Sequence, residues 1–127
     1  MIEGLFSSAN YQATKKWMDA TAMNQLAVTH NLNHIETPGY RRLRVSGDFQ
    51  AELRRAAGAG HADQLRRMAP TLEKDPQVVA QRKDGNTVSL EHELMEFQKN
   101  SLSHAYQVQA LSAHYSRLRL AITGRGF

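Results

Sequence analysis

Asn31-Leu32-Asn33-His34-Ile35-Glu36-Thr37-Pro38-Gly39-Tyr40 closes the first regular stretch of the chain and turns the backbone sharply away from it. Thr37 precedes a proline, whose ring crowds the α conformation of its neighbour, so a helix entering this stretch is predicted to stop at about Glu36. Pro38 presets φ for the first central position of a turn, and Gly39 supplies the positive φ that a type II turn needs at the second. These residues imply a helix stop and a sharp turn, and by themselves no chemistry.

Upstream, from about Ser8 to Glu36, apolar residues recur at helical spacing. On a 100° wheel Tyr11, Trp17, Met18, Ala22, Val28, Leu32 and Ile35 share one broad face, with Lys16, Asp19, His30 and His34 opposite. Asn10, Asn24, Asn31 and Asn33 are poor helix-interior residues, so packing rather than local preference must hold the helix. Their side chains are candidates to hydrogen-bond a neighbouring backbone.

Downstream, Ser46-Gly47-Asp48 reads as a turn, and a short helix over residues 49–57 with Asp48 as N-cap is expected. Gly58-Ala59-Gly60 breaks it, Ala62 to Met68 favour helix, Pro70 interrupts, and Pro76 with Val78-Val79 suggests a short strand or an extended arm. The middle segment, residues 41–86, is therefore expected to be basic, partly irregular and the least ordered region.

Asp84-Gly85-Asn86 is a turn signal. After it Leu90, Leu94, Phe97, Ser101, His104, Val108, Leu111, Tyr115, Leu118 and Ile122 alternate spacings of four and three, which is a heptad seam. Ser89 suits its N-cap, Glu91 and Glu93 its positive end, Arg117 and Arg119 its negative end, and Gly124 its termination. The predicted fold is all-α: long N- and C-terminal helices pairing as an antiparallel coiled coil, with regions 1–40, 41–86 and 87–127. Two helices leave apolar edges uncovered, so neighbouring chains are expected to complete the core.

Composition narrows the function. The 127 residues amount to one domain, 41% of them hydrophobic, with one Trp, four Tyr and four Phe. No cysteine is present, which excludes disulfides, thiolate zinc sites and thiol catalysis. The net charge of +4 arises from the pairs Arg41-Arg42, Arg54-Arg55 and Arg66-Arg67. A basic helical hairpin binding nucleic acid or anionic membrane is the alternative reading. Without interleaved aromatic residues for base stacking, a solvated basic face fits better. The start, Met1-Ile2-Glu3-Gly4-Leu5-Phe6, lacks the basic and apolar regions of a cleavable signal peptide, and no run approaches a membrane span.

His30 and His34 stand at i and i+4 and could share a zinc ion. They lack the Glu of a His-Glu-x-x-His motif, and no third ligand is identifiable by spacing, so no metal is assigned. Glu91, Glu93 and Glu96 cluster where the helix dipole accounts for them, and Gly58-Ala59-Gly60 lacks the lysine of a phosphate loop. No catalytic or cofactor-binding residue emerges, so a non-enzymatic role with no small-molecule substrate is expected.

Asn31-Leu32 followed by Thr37-Pro38-Gly39-Tyr40 resembles the Asn-Asn-Ile-Ala-Asn-x-x-Thr-Pro-Gly-Tyr signature near the N-terminus of bacterial flagellar axial proteins, the rod, hook and hook-associated family. Asp84-Gly85-Asn86-Thr87-Val88-Ser89-Leu90-Glu91-His92-Glu93-Leu94-Met95 is similar to the Asp-Gly-Asn-x-Val-x-Leu-Glu-x-Glu-Met segment opening the C-terminal helix of its small proximal rod subunits. Asp48-Phe49 sits where those subunits carry an Asp-Phe pair. The chain departs from the signature at His30, Asn33 and His34, where the family has Asn, Ala and Asn.

The resemblance implies a structural subunit of the basal-body rod, the drive shaft for motility that crosses the periplasm. It implies export through the flagellar type III apparatus without a cleaved signal, and polymerisation through the terminal helices. The implied partners are the chain itself, other rod subunits, basal-body ring and linker proteins and the export gate, with no nucleic acid. Asn31, Leu32, Thr37, Pro38, Gly39, Tyr40, Asp84, Gly85, Asn86 and Val88 carry the motifs. Tyr11, Met18, Leu32 and Ile35 are expected to pack against the seam at Leu90, Leu94, Phe97, Val108, Leu111, Tyr115, Leu118 and Ile122.

Overall fold

The computed structural model describes residues 8–77 and 81–124. The expectations for the Met1 to Phe6 start and for a strand at Val78-Val79 lie outside the described residues. Most of the chain is helical, with the longest helices at its two ends.

Helix α1 (Ala9–Asn33) opens where Ser8, in an extended conformation, accepts the Tyr11 N–H at 3.2 Å. It ends at Asn33, short of the predicted Glu36. From there the chain tightens into three-residue steps: His34 N–H bonds the Asn31 carbonyl, Ile35 that of Leu32 and Thr37 that of His34, at 3.2, 3.3 and 3.0 Å. The carbonyls just past the helix end are taken by the side chain of Asn86, a distant competitor that local reading could not supply. The Pro38-Gly39 turn is present. Tyr40 N–H bonds the Thr37 carbonyl at 3.3 Å, and Gly39 has φ +72°.

The middle segment, expected to be partly irregular with short helices, carries regular structure between irregular stretches. It contains β1 (Leu43–Val45), α2 (Gly47–Ala59), α3 (Ala62–Arg67) and β2 (Leu72–Lys74). The strands pair antiparallel with Leu43 opposite Lys74, Arg44 opposite Glu73 and Val45 opposite Leu72. Helix α2 starts before the predicted position: Ser46, not Asp48, caps it, and Glu73 Oε1 also accepts the Gly47 N–H at 3.1 Å. A short helix after Gly60 gives α3, which ends before Pro70 as expected.

This segment builds the hydrophobic core. Val45, Phe49, Leu53, Ala56, Leu65 and Met68 bury against Ala13 of α1, with Ala9, Ala20 and Met23 packed alongside. Phe49, Leu53 and Ala56 recur at the three- and four-residue spacing of one helix face. The basic character of the segment obscured that stripe, because arginines occupy the outward positions between them.

Helix α4 (Leu90–Thr123) has 34 residues and spans about 51 Å. Ser89 caps it and Gly124 ends it, as predicted. Its contacts to α1 fall in sequence as its own rise, from Glu93 with Asn31, through Asn100 with Thr21, to His114 with Tyr11, so the two helices run antiparallel. With α4 on one side of α1 and the middle segment on another, the single apolar face drawn for α1 does not hold. Tyr11 and Val28 are buried, Met18, Leu32 and Ile35 half-buried, and Trp17 and Ala22 exposed.

Candidate functional site

The two sequence motifs, about fifty residues apart, meet at one junction. Asn86 is fully buried, and its Nδ2 reaches the carbonyls of His34, Ile35 and Thr37 at 2.9, 3.1 and 2.8 Å. These are carbonyls of the turn that follows α1. Asn86 Oδ1 accepts the Val88 N–H at 2.7 Å, so the same carboxamide sets the path into α4. Arg82 also donates to the Ile35 carbonyl.

Backbone completes the contact. Gly39 N–H bonds the Asp84 carbonyl at 2.8 Å, and Thr87 N–H bonds that of Tyr40 at 3.0 Å. Gly39 and Gly85 face one another closely, a Cβ on Gly85 lying 3.5 Å from the Gly39 Cα, and both have positive φ. Each turn uses glycine for its positive φ.

Behind the junction lies a buried polar network. Asn31 behaves as an extra residue of the sheet: its Oδ1 accepts the Leu43 N–H at 2.8 Å and its Nδ2 donates to the Leu43 carbonyl at 2.9 Å. It also bonds Glu93 at 3.2 Å and receives the Tyr40 hydroxyl at 2.9 Å. Arg42 donates through Nε to Glu93 at 2.8 Å and through Nη1 to Asp75. Arg44 pairs with Glu73 at 2.9 Å and with Asp75 at 3.5 Å. Charged groups removed from water require such pairing.

Burial alone would lower the Arg42 pKa, but hydrogen bonds and charge from Glu93 and Asp75 more than reverse it. Burial raises that of the Tyr40 phenol, as does the Glu93 charge, with Arg42 opposing. The Gly47 N–H and then Arg44 hold the Glu73 carboxyl below its ordinary range.

At the same corner the His30 and His34 rings stack with centroids 4.4 Å apart, and His34 stacks on Tyr40 at 4.8 Å. Among the described residues, no group of three or more His, Cys, Asp or Glu side chains could hold a metal ion.

The α1–α4 contact differs from the expected seam. It runs through polar groups: Asn100 Nδ2 bonds the Thr21 carbonyl and Gln25 Oε1, both at 3.0 Å, and Gln107 bonds the Thr21 hydroxyl at 2.9 Å. Glu93, Asn100, Gln107 and His114 are spaced by seven, a polar heptad that the apolar count passed over. Glu93, read as suiting the positive end of the helix, is also fully buried. Gln107 Oε1 and His114 Nε2 are buried without a hydrogen-bond partner among the described residues, so this interface specifies register more than it stabilises.

The apolar seam points elsewhere. Leu118 is buried and Leu111 half-buried, but Leu90, Leu94, Phe97, Val108, Tyr115 and Ile122 are between 41% and 58% exposed. Tyr115 still reaches Tyr11, whose phenol pKa is raised by burial and by that neighbour. Met18 of α1 and Phe97 of α4 line one shared hollow together with Gln25, Asn100 and His104. A second exposed stripe, Met95, Leu102, Tyr106 and Leu120, lies on another flank of α4. Sequence reasoning located the motifs and the seam residues; it missed Arg42, Asp75, Asn100 and Gln107.

No protein-family model matches the chain. Three proteins of Cereibacter sphaeroides, each named flagellar basal body rod protein FlgB, are similar to it, at 35% identity over 107 residues, covering 76% of this chain and 80% of the relative.

Proposed function

This chain belongs to the FlgB family of flagellar basal body rod proteins, and we propose that it is a non-catalytic structural subunit of the proximal rod that polymerises through its terminal helices. Export by the flagellar type III route, a place in the periplasm-spanning shaft, and contacts with other rod subunits, ring and linker proteins and the export gate complete the reading. The observation that carries it is the exposed seam of α4. A helix of 34 residues keeps Leu90, Leu94, Phe97, Val108, Tyr115 and Ile122 in water while polar groups make its intramolecular contact. Apolar surface of that extent on an otherwise folded chain marks an interaction face. Completing the coiled-coil seam with helices of neighbouring subunits would cover it.

The nucleic-acid alternative has less support, because Arg42 and Arg44 are engaged by carboxylates of the same chain. The test is Leu94→Asp or Phe97→Asp. Either variant is expected to keep wild-type helicity by circular dichroism while losing concentration-dependent association in sedimentation and rod incorporation in cells. Assembly indistinguishable from wild type would overturn the seam as interface.

A further inference from the structure

We propose that copies of this chain join head to tail, with Leu102 and Tyr106 on the outer flank of α4 seated in the hollow between α1 and α4 of the next copy. The inference rests on the polymerising reading above and names the two surfaces that meet. Among the large apolar side chains of the described residues, Leu102 and Tyr106 are the most exposed, at 74% and 75%. At 3.6 residues per turn they stand about 140° and about 180° round the helix from Phe97 of the seam. The receiving surface is concave. Met18, Asp19, Ala22 and Gln25 of α1, with Phe97 and His104 of α4, line a hollow of about 590 Å³.

Height along the helix pair decides the fit. The Thr21 carbonyl bonds Asn100 and its hydroxyl bonds Gln107, so this turn of α1 lies level with the stretch of α4 between those residues. Ala22 is therefore at the height of Leu102, and Met18 and Asp19, one turn away, at that of Tyr106. A copy set beside the first, parallel to it and unshifted along the axis, brings Leu102 onto Ala22 and the Tyr106 ring onto Met18. The phenol then comes to the Asp19 carboxylate, which is 56% exposed and 4.0 Å from Lys16, free to accept a further hydrogen bond. Tyrosine suits such a place, with an apolar ring to bury and a hydroxyl to donate. The occupant is a second copy because one contact of this kind covers both apolar flanks of α4. Each subunit gives its outer stripe and receives its neighbour's against the hollow and the adjoining seam, to which Phe97 is common. Two different patches meeting in this way make a heterologous contact, which passes from copy to copy instead of closing at two.

The chain has no cysteine, so introduced thiols report the contact cleanly. The full-length double variant Ala22→Cys, Tyr106→Cys, oxidised at a concentration where the wild type associates, is expected to give a ladder of cross-linked oligomers. An equimolar mixture of the two single variants should give a mixed dimer, and each single variant alone should stay monomeric on a non-reducing gel. Leu102→Asp and Ala22→Arg, both at exposed positions, should keep wild-type circular dichroism. Each alone should weaken self-association at least about tenfold, whereas their mixture should form dimers and nothing larger. Cross-linked dimers of Tyr106→Cys alone, in which the stripe meets itself, or no ladder from the double variant would overturn the proposal, as would a wild type that stays monomeric at every concentration. The two readings fail separately. Association lost in Leu94→Asp without a ladder keeps the seam and removes this pairing, and a ladder with association unchanged in Leu94→Asp does the reverse.

Discussion

Asn86 donates to three carbonyls of the turn that follows α1, and no other described side chain bonds more than one of them. Asn86→Ala removes these three bonds and the acceptor of the buried Val88 N–H, and is expected to cost about 1–3 kcal/mol, read as a lower denaturant midpoint at constant slope. Glu73 makes a pH-dependent contribution. Its folded pKa is depressed by the Gly47 N–H and by Arg44, so the stabilisation is present above the unfolded value of about 4.3 and is lost as pH falls through the folded one. Stability measured between pH 6 and 3 should decline, and Glu73→Gln should flatten that decline while lowering stability at neutral pH.

At the level of elements, the turn at Gly39 is a conformational requirement rather than a packing one. Its φ is +72°, yet a Cβ there would meet nothing within 4 Å. Gly39→Val should therefore cost about 1–3 kcal/mol through backbone strain, while Arg54→Ala on the exposed side of α2 should stay within about 0.5 kcal/mol. Thermal unfolding of the two variants separates these outcomes. The turn, both caps of α4 and the motif residues were legible in the sequence because each depends on a few consecutive residues. The junction was not, because Asn86 and His34 are 52 positions apart and only the folded chain brings them together. Nor did periodicity tell which stripe of α4 meets α1. An apolar seam and a polar heptad run along the same helix, and the pairing depends on where the middle segment packs.

For the whole molecule, the distribution of apolar residues separates folding from association. Leu53 is buried in the core between α1 and the middle segment, whereas Leu94 is exposed. Leu53→Asp should unfold the chain, and Leu94→Asp should leave it folded and dispersed; circular dichroism with sedimentation velocity distinguishes the two. The core cluster closes without using the exposed seam residues. The antiparallel arrangement has one more consequence. Tyr11 lies beside His114, so the two described ends of the chain emerge at the same end of the helix pair, opposite the Asn86 junction. A force drawing those ends apart would peel α1 from α4 contact by contact, as a zipper opens, and would reach the Arg42–Glu93 network last. A chain built this way surrenders to a pull on its ends far more readily than to a load that slides the helices lengthwise past each other.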